Sequence, residues 1–340
     1  MGALIIGDIH GCYDELRDLL GAAGLTDDDE IIALGDMIDR GPQNEAVLRF
    51  FRDHPNARSI RGNHEHKHVA IRDDKTRPAL SQQITRRDMG GQLQPFFRWM
   101  AGLPISLQLD DALLTHGFFE PGVSLDKQQP DVLMGLLNGE RHLQTARSRP
   151  WYEDVDHATP IIVGHRDYHR NGQPLAYRDR VFGLDTTVYG GGRLTGLLLP
   201  AFRFVSVPAR GDHWTRAREQ NADLRYRQTP LDKLTWERAR MVMAAYRLHP
   251  PRSVYHRRRQ QRLSAMMFAA EKTRDALMRD LRQTLEDHQM LSADDFAEKF
   301  HDHPYQSTLA RWRRSGAVDS ADLERCFRRP AELLRADCAE

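Results

Sequence analysis

Cysteine is scarce in this chain: there are three, Cys12, Cys326 and Cys338, in 340 residues. An odd number with no zinc-site spacing excludes a disulfide-stapled fold and fits a reducing compartment. Long apolar runs are missing too, and none approaches the roughly 20 residues that a membrane-spanning helix needs. The first residues carry neither a basic region nor the apolar stretch of a signal peptide. Met1-Gly2 has the start of a myristoylation signal, but Ile6 stands where that signal needs Ser or Thr. The expectation is a soluble, cytoplasmic protein without a membrane partner. No repeat or low-complexity segment is present, and no excess of one charge: 49 Lys and Arg against 48 Asp and Glu leave +1. Overall charge therefore identifies no partner. The length allows one large domain or two.

The charge is unevenly spread. Residues 1–202 hold 22 basic and 28 acidic side chains and residues 203–340 hold 27 and 20, so balances of −6 and +7 sum to +1. The basic last third is either a surface for an anionic partner or a solvated helical face.

What the chain does have is concentrated in three stretches: Gly7-Asp8-Ile9-His10-Gly11, Gly35-Asp36-Met37-Ile38-Asp39-Arg40-Gly41 and Gly62-Asn63-His64-Glu65. Each follows a short apolar run and opens on glycine, so each sets polar side chains just past a buried strand, where open α/β sheets bind ligands. Carboxylates and imidazoles together suit zinc, manganese or iron, whereas magnesium favours oxygen throughout. One Asp-x-His is a weak signal; three such turns, each after its own strand, read as a two-metal phosphoesterase site.

Between these turns, helices are expected at Tyr13 to Ala23 and Asn44 to Arg52, giving parallel strand-helix-strand units. Asp73 to Gln94 reads as a polar cap or loop. Strands at Ala112 to Thr115 and Pro160 to Val163 deliver His116-Gly117 and Gly164-His165, and further strands fall at Val181 to Leu184, Leu194 to Leu199 and Phe202 to Val207. Alternation stops there. The expected division is a catalytic domain at 1–207, a polar linker at 208–230 and a helical domain at 231–340.

The ordered motifs GDIHG, GDMIDRG, GNHE, THG and GH resemble the calcineurin-like metallophosphoesterases, and within them the phosphoprotein-phosphatase group, over roughly residues 3–206. That resemblance implies an α/β fold of two facing β-sheets flanked by helices. It implies two divalent metal ions, manganese first, with iron, zinc, nickel or cobalt as alternatives. Asp8 and His10 would hold one ion, Asn63, His116 and His165 the other, and Asp36 would bridge them. His64 would be the general acid, Asp39 its orienting partner and Arg40 a phosphate clamp, with a metal-bound hydroxide attacking phosphorus. A second phosphate-binding arginine is expected at Arg147 or Arg149, beside Trp151. Asp185 would orient a metal-ligand histidine or lie in a surface turn. Phe118-Phe119, where the family usually has a second glycine, is either an aromatic wall of the groove or packed core.

Other residues receive plainer readings. His66 and His68 are not expected to touch substrate, since alternate helical residues do not share a face. His54, His142, His157 and His169 read as solvated, and Cys12 as a small packed residue. The expected activity is phosphomonoester hydrolysis of the phosphoserine and phosphothreonine type. Symmetrical cleavage of dinucleoside tetraphosphates and removal of phosphate from RNA or nucleotide ends are the alternatives. Arg257-Arg258-Arg259 with Arg262, and Arg311 to Arg314 around Trp312, read as a nucleic-acid surface or as the exposed face of a lid or oligomerisation domain.

Overall fold

The computed structural model describes residues 2–146, 148–251, 253–316 and 319–337. Arg147 and Cys338, singled out above, lie outside the described residues. Two compact units divide at Arg218 and Glu219.

The first unit holds two five-stranded sheets. One is built from β1 (Ala3–Ile6), β2 (Glu30–Ala33), β3 (Ala57–Ser59), and, later in the chain, two strands at Arg193–Leu199 and Arg203–Pro208. The other comprises β4 (Ser106–Gln108), β5 (Leu113–Thr115), β6 (Ile161–Val163), β7 (Leu175–Tyr177) and β8 (Val181–Gly183). With β9 and β10 for the two late strands, the orders are β10-β9-β1-β2-β3 and β4-β5-β6-β8-β7. The centre of each sheet is parallel and its margins include antiparallel pairs, β1 with β9 and β4 with β5.

The period-two alternation of strand side chains explains the layering. Ile5, Ile32 and Leu34 meet Leu114, Ile162 and Phe182 in an apolar layer between the sheets. Leu4, Ile6, Ile31 and Ala33 turn the other way, onto α1 (Tyr13–Ala23) and α2 (Asn44–Asp53) through Leu16, Leu19, Val47 and Phe51. In the second sheet Leu113, Ile161, Val163 and Val181 face outward onto Phe118, Val132 and Trp151. Ile5 pairs with Ile32 in register. A slip of one residue would turn each strand's inner set outward, so burial on both faces fixes the register.

The remaining helices of this unit are α3 (Asn63–Arg72), α4 (Leu80–Met89), α5 (Phe96–Gly102), α6 (Pro130–Leu133) and α7 (Leu137–Ala146). Helix α4 corrects the expected loop between Asp73 and Gln94. Its buried side includes Gln82 and Thr85 alongside Ile84 and Met89, so it lacks the apolar stripe by which a core helix is recognised. The expected linker is also structured: it contains α8 (His213–Gln220) and α9 (Ala222–Arg225).

The second unit is helical, with α10 (Trp236–Leu248), α11 (Val254–Asp287), α12 (Ala293–Lys299), α13 (Gln306–Ser315), α14 (Ser320–Cys326) and α15 (Pro330–Asp337). One core joins Trp236, Val242, Met267 and Leu333, and a second joins Leu281, Phe296, Leu309, Trp312 and Leu323. Ser292 caps α12 by accepting the Asp295 amide at 3.1 Å. No helix among the described residues is long and apolar enough to cross a membrane.

Candidate active site

Five turns after strand ends converge. Those following β1, β2 and β3 carry Asp8 and His10, Asp36 to Arg40, and Asn63 and His64; those following β5 and β6 carry His116 and His165. The backbone is strained where the polar side chains are aimed: His10, Asp36, Asp39, Arg40 and His165 all have φ between 48° and 79°. A non-glycine residue in that region costs about 1–3 kcal/mol and persists only where surrounding contacts enforce it. Two glycines permit the close approach. A Cβ on Gly62 would stand 2.3 Å from Asp36 Oδ1, and one on Gly164 would stand 2.3 Å from Asp8 Oδ1.

Asp8, His10, Asp36 and His116 are buried, with Asn63 and His165 partly so. His10 Nε2 lies 3.8 Å from Asp8 Oδ2 and 3.6 Å from Asp36 Oδ2, while His116 Nε2 is 3.4 Å from Asp36 Oδ1. The Nδ1 atoms of His10 and His116 lie 3.0 and 2.8 Å from the Ile38 and Leu34 carbonyls. Those carbonyls can only accept, so both rings carry the proton on Nδ1 and turn a lone pair on Nε2 toward Asp36.

These groups hold their charges badly. Burial, then the charges of Asp185 and Asp36, push the Asp8 carboxyl well above the usual range. Burial and Glu65 do the same to Asp36. Burial pushes His10 and His116 well below the usual imidazole value, helped by Arg40 and His165 respectively, and burial with Arg166 takes His165 down to about 3. With its oxygen turned inward, Asn63 places Oδ1 at 2.8 Å from His116 Nε2 and 3.1 Å from His165 Nδ1. Reversed, the amide would donate to Asp36 at 3.1 Å and to the same two ring nitrogens. Few donors face these carboxylates, imidazoles and inward amide oxygen: the His64 amide at 2.9 Å from Asp36 Oδ1, the His165 amide at 2.8 Å from Asp8 Oδ1 and the Arg40 guanidinium beside His10. Divalent cations supply the missing charge, and the oxygen and nitrogen donors suit a borderline ion. Three clusters among the described residues could hold an ion, and Asp36 is common to two of them, His10-Asp36-His64 and Asp36-His116-His165; the third is Cys12-Glu15-His213.

His64 differs from the other imidazoles in having its second nitrogen committed. Its Nδ1 lies 2.6 Å from Asp39 Oδ2. The same carboxylate meets His68 Nε2 at 2.8 Å, accepts from Thr85 Oγ1 at 2.6 Å and accepts from the Gln82 amide. Burial alone would raise Asp39, but His68 and His64 outweigh it and hold the carboxyl well below its ordinary value. Burial lowers His64 despite the opposing pull of Asp39. An imidazole backed by a fixed carboxylate can carry a proton to a leaving oxygen. His68, Gln82 and Thr85 escaped the sequence reading. For His68 there was a signal: it stands four residues after His64, on the same helical face. Gln82 and Thr85 come from α4, 43 and 46 residues beyond Asp39, and nothing local pairs them with it. Glu65 is likewise structural, accepting the amides of Asp36, Met37 and Gly62 and so fixing the second turn against the third.

Arg40 sits 4.2 Å above the Tyr189 ring, with its guanidinium nitrogens 3.0 Å from His10 Nε2 and 3.1 Å from His64 Nε2. Tyr189 was not foreseen. Asp185 is buried, is raised to about 6 mainly by that burial, and accepts the Thr187 amide at 2.9 Å. That bond places it against its own turn, beside Asp8 and among the acidic groups. Arg149 is exposed and lines a pocket with Trp151 and Phe118. Phe118 combines both readings of the double phenylalanine: it is packed in the core, and its ring meets that of His165 edge-on at 5.3 Å.

A family model described as calcineurin-like phosphoesterase matches residues 1–191. A symmetrical bis(5'-nucleosyl)-tetraphosphatase of Shewanella baltica (strain OS155 / ATCC BAA-1091) is 26% identical over 170 residues, which are 48% of this chain and 62% of the relative. The protein of the same name from Shewanella putrefaciens is 25% identical over the same shares. The chain thus spans less than two thirds of the length of the curated relatives it matches. A crystal structure of a candidate diadenosine tetraphosphatase superposes with a TM-score of 0.52 at 25% identity, covering 61% of this chain and 93% of that one.

Proposed function

The chain belongs to the calcineurin-like phosphoesterases, and from that premise we propose that it hydrolyses phosphomonoesters with two divalent cations, manganese first among them. The supporting observation is that two groups of side chains able to hold an ion, built from carboxylates and imidazoles, share Asp36. In this reading Asp8, His10 and Asp36 hold one ion and Asp36, Asn63, His116 and His165 the other. When bound, the ions supply Lewis-acid charge and a water of lowered pKa.

The chain's own residues do the rest. Arg40, backed by Tyr189, grips two phosphoryl oxygens through parallel hydrogen bonds. His64 gives its proton to the leaving oxygen, and Asp39 keeps the ring oriented and stabilises its charged form. His68, Gln82 and Thr85 occupy the remaining positions around Asp39, so that carboxylate stays anionic and does not compete for the proton. The names of the relatives favour a second reading, symmetrical hydrolysis of dinucleoside tetraphosphates, and the same residues serve an anhydride as well as an ester. Removal of phosphate from an RNA or nucleotide end uses the same site again.

The test is hydrolysis of p-nitrophenyl phosphate by the purified chain, metal-stripped and then titrated with Mn²⁺. Activity should rise with up to two equivalents of tightly bound ion. Turnover in the stripped protein equal to that of the loaded protein would refute the proposal.

A further inference from the structure

Beside His165 lies a pocket of about 550 Å³, within the range of small-ligand sites. One wall is a run of rings: Phe118 meets Trp151 edge-on, Trp151 meets Tyr152 at 6.1 Å, and Tyr152 meets Tyr168 at 5.4 Å. Tyr152 and Tyr168 are only half-buried, which leaves ring surface for a ligand. The rim is cationic, formed by Arg149, Arg166 and Arg170. Arg166 is tied to Glu140, whereas Arg149 and Arg170 form no ion pair among the described residues.

The wall also holds buried polar atoms. Asp167 Oδ1 is sealed from solvent and lacks a hydrogen-bond partner, while Trp151 Nε1 and Tyr168 Oη have only each other; Trp151 as a whole is 6% exposed. Native interiors rarely leave such groups unsatisfied without a functional reason. Asp167 lines the pocket and is anchored through its other oxygen, which accepts the Gly172 amide at 2.9 Å.

We infer that this pocket is a nucleoside subsite: it takes the base of a nucleotide whose phosphate reaches the site at His165. Planar bases stack on aromatic walls whatever their sequence, and guanidinium groups bind the phosphates that accompany them. The acceptor on Asp167 selects a base with an exocyclic amino group, such as adenine, over uracil. The contact of Phe118 with His165 joins the pocket to the candidate metal ligands, so an occupant is held adjacent to the reacting phosphate. The inference rests on the phosphoesterase reading and narrows it to substrates bearing a nucleoside.

The experiment measures inhibition of p-nitrophenyl phosphate hydrolysis by AMP, UMP and ribose 5-phosphate, using the full chain loaded with Mn²⁺. AMP should inhibit at concentrations at least about tenfold lower than ribose 5-phosphate, the advantage expected of stacking, with UMP between them. Tyr152→Ala should remove most of the AMP advantage, and Asp167→Asn should bring AMP and UMP together. Asp167→Asn keeps the residue's size and carries the test should Tyr152→Ala fail to fold. Equal inhibition by AMP and ribose 5-phosphate overturns the subsite while leaving the phosphoesterase reading intact. Absence of hydrolysis in any metal-loaded sample sinks that reading instead. Equilibrium dialysis of AMP then decides the pocket by itself: binding weakened by Asp167→Asn supports it, and no binding overturns it.

Discussion

Asp36 and Asp322 are both buried carboxylates, one in each unit, and they are treated in opposite ways. Asp36 shares its surroundings with Asp8, Glu65 and Asp185 and is pushed well above the ordinary range by burial and by Glu65. Asp322 is ringed by donors, Trp312 Nε1, Arg311 and Arg325. These outweigh burial and hold it below its ordinary value. The contrast extends across the units. The first buries Asp8, His10, Asp36, Asp39, His64, His68 and His116, whereas among the described residues the second buries only Asn221, Thr308 and Asp322 as polar groups. All the positive-φ residues other than glycine in the described chain fall at or before Phe202. Crowded like charges and strained backbone are costs with no structural return, and they mark where a ligand is expected. Paired charges on relaxed helices are architecture.

The sharpest way to break this comparison is Asp36→Asn. If Asp36 is shared by two ions, the variant loses at least one of them, and turnover falls by on the order of 10³-fold or more. Metal analysis of the purified variant checks it, and two retained ions with near-normal activity would place Asp36 with the architectural group. Next comes His64→Asn. The variant should retain its metal and slow hydrolysis of an alkyl phosphate by roughly 10² to 10⁴, with a smaller loss for p-nitrophenyl phosphate, whose leaving group needs less help. Equal losses on both esters would remove the acid role, and loss of metal would make His64 a ligand, a position its place in the His10-Asp36-His64 cluster also permits.

The crowded unit was the more legible one from sequence, because its chemistry is written in short local motifs. Glycine, aspartate and histidine at strand ends identify Asp8, His10, Asp36, Asn63, His116 and His165 as candidates without any knowledge of packing, and the structure gathers them. The pairing of Asp39 with His64 was inferred from the family resemblance. What supports that pair was illegible for a physical reason: α4 buries glutamine and threonine because it faces a carboxylate, so its pattern matches a surface loop. Tyr189 beneath Arg40 is likewise a long-range contact with no local signature. In the helical unit the reverse holds. Its helical character was readable, but arginines that looked like a nucleic-acid surface turn out to be committed. Arg259 donates to the carbonyls of Tyr226 and Thr229, Arg311 pairs with Asp322, and Arg313 donates to Leu291 and Ser292. The family match ends at residue 191 and gives this unit no role.

Glu15 tests whether a buried charge in the first unit can be purely structural. His213 Nε2 lies 2.7 Å away and the Arg210 amide donates to the same oxygen at 2.9 Å. Burial opposes the anion, but these bonds outweigh it and hold the carboxyl at about 2, against 4.5 ordinarily. A depressed carboxylate stabilises the fold above its unfolded pKa, and that contribution disappears as pH falls through the folded value. About 2–3 kcal/mol should therefore be lost between pH 5 and 2. Glu15→Gln should flatten the pH dependence of the denaturation midpoint over that interval; an unchanged slope would mean the pair contributes nothing. Asp322→Asn is the counterpart in the second unit. It weakens the bonds to Trp312 and the two arginines, so stability should fall by about 1–3 kcal/mol, read as a lower thermal midpoint. Turnover of p-nitrophenyl phosphate at 25 °C should stay within about twofold, and a large loss would tie this unit to catalysis.

The smallest effect separates the committed arginines from the rest. Arg258 and Arg262 line a pocket with Tyr255, whose side chain is 67% exposed, a combination that suits a single strand's phosphates and bases. Arg259 lies in the same stretch but is engaged with the backbone. If the basic face binds RNA, log affinity falls linearly with log salt at about −0.7 per phosphate contacted. Replacing Arg258 and Arg262 together by alanine should then flatten the slope by about 1.4. Arg259→Ala should leave the slope nearly unchanged and lower the thermal midpoint instead. If Arg259→Ala flattens the slope as much as the double variant without loss of stability, backbone engagement does not mark an arginine as structural, and the contrast between the units weakens. If the wild-type chain shows no salt-dependent binding of single-stranded RNA, the +7 balance of residues 203–340 is that of a solvated helical face.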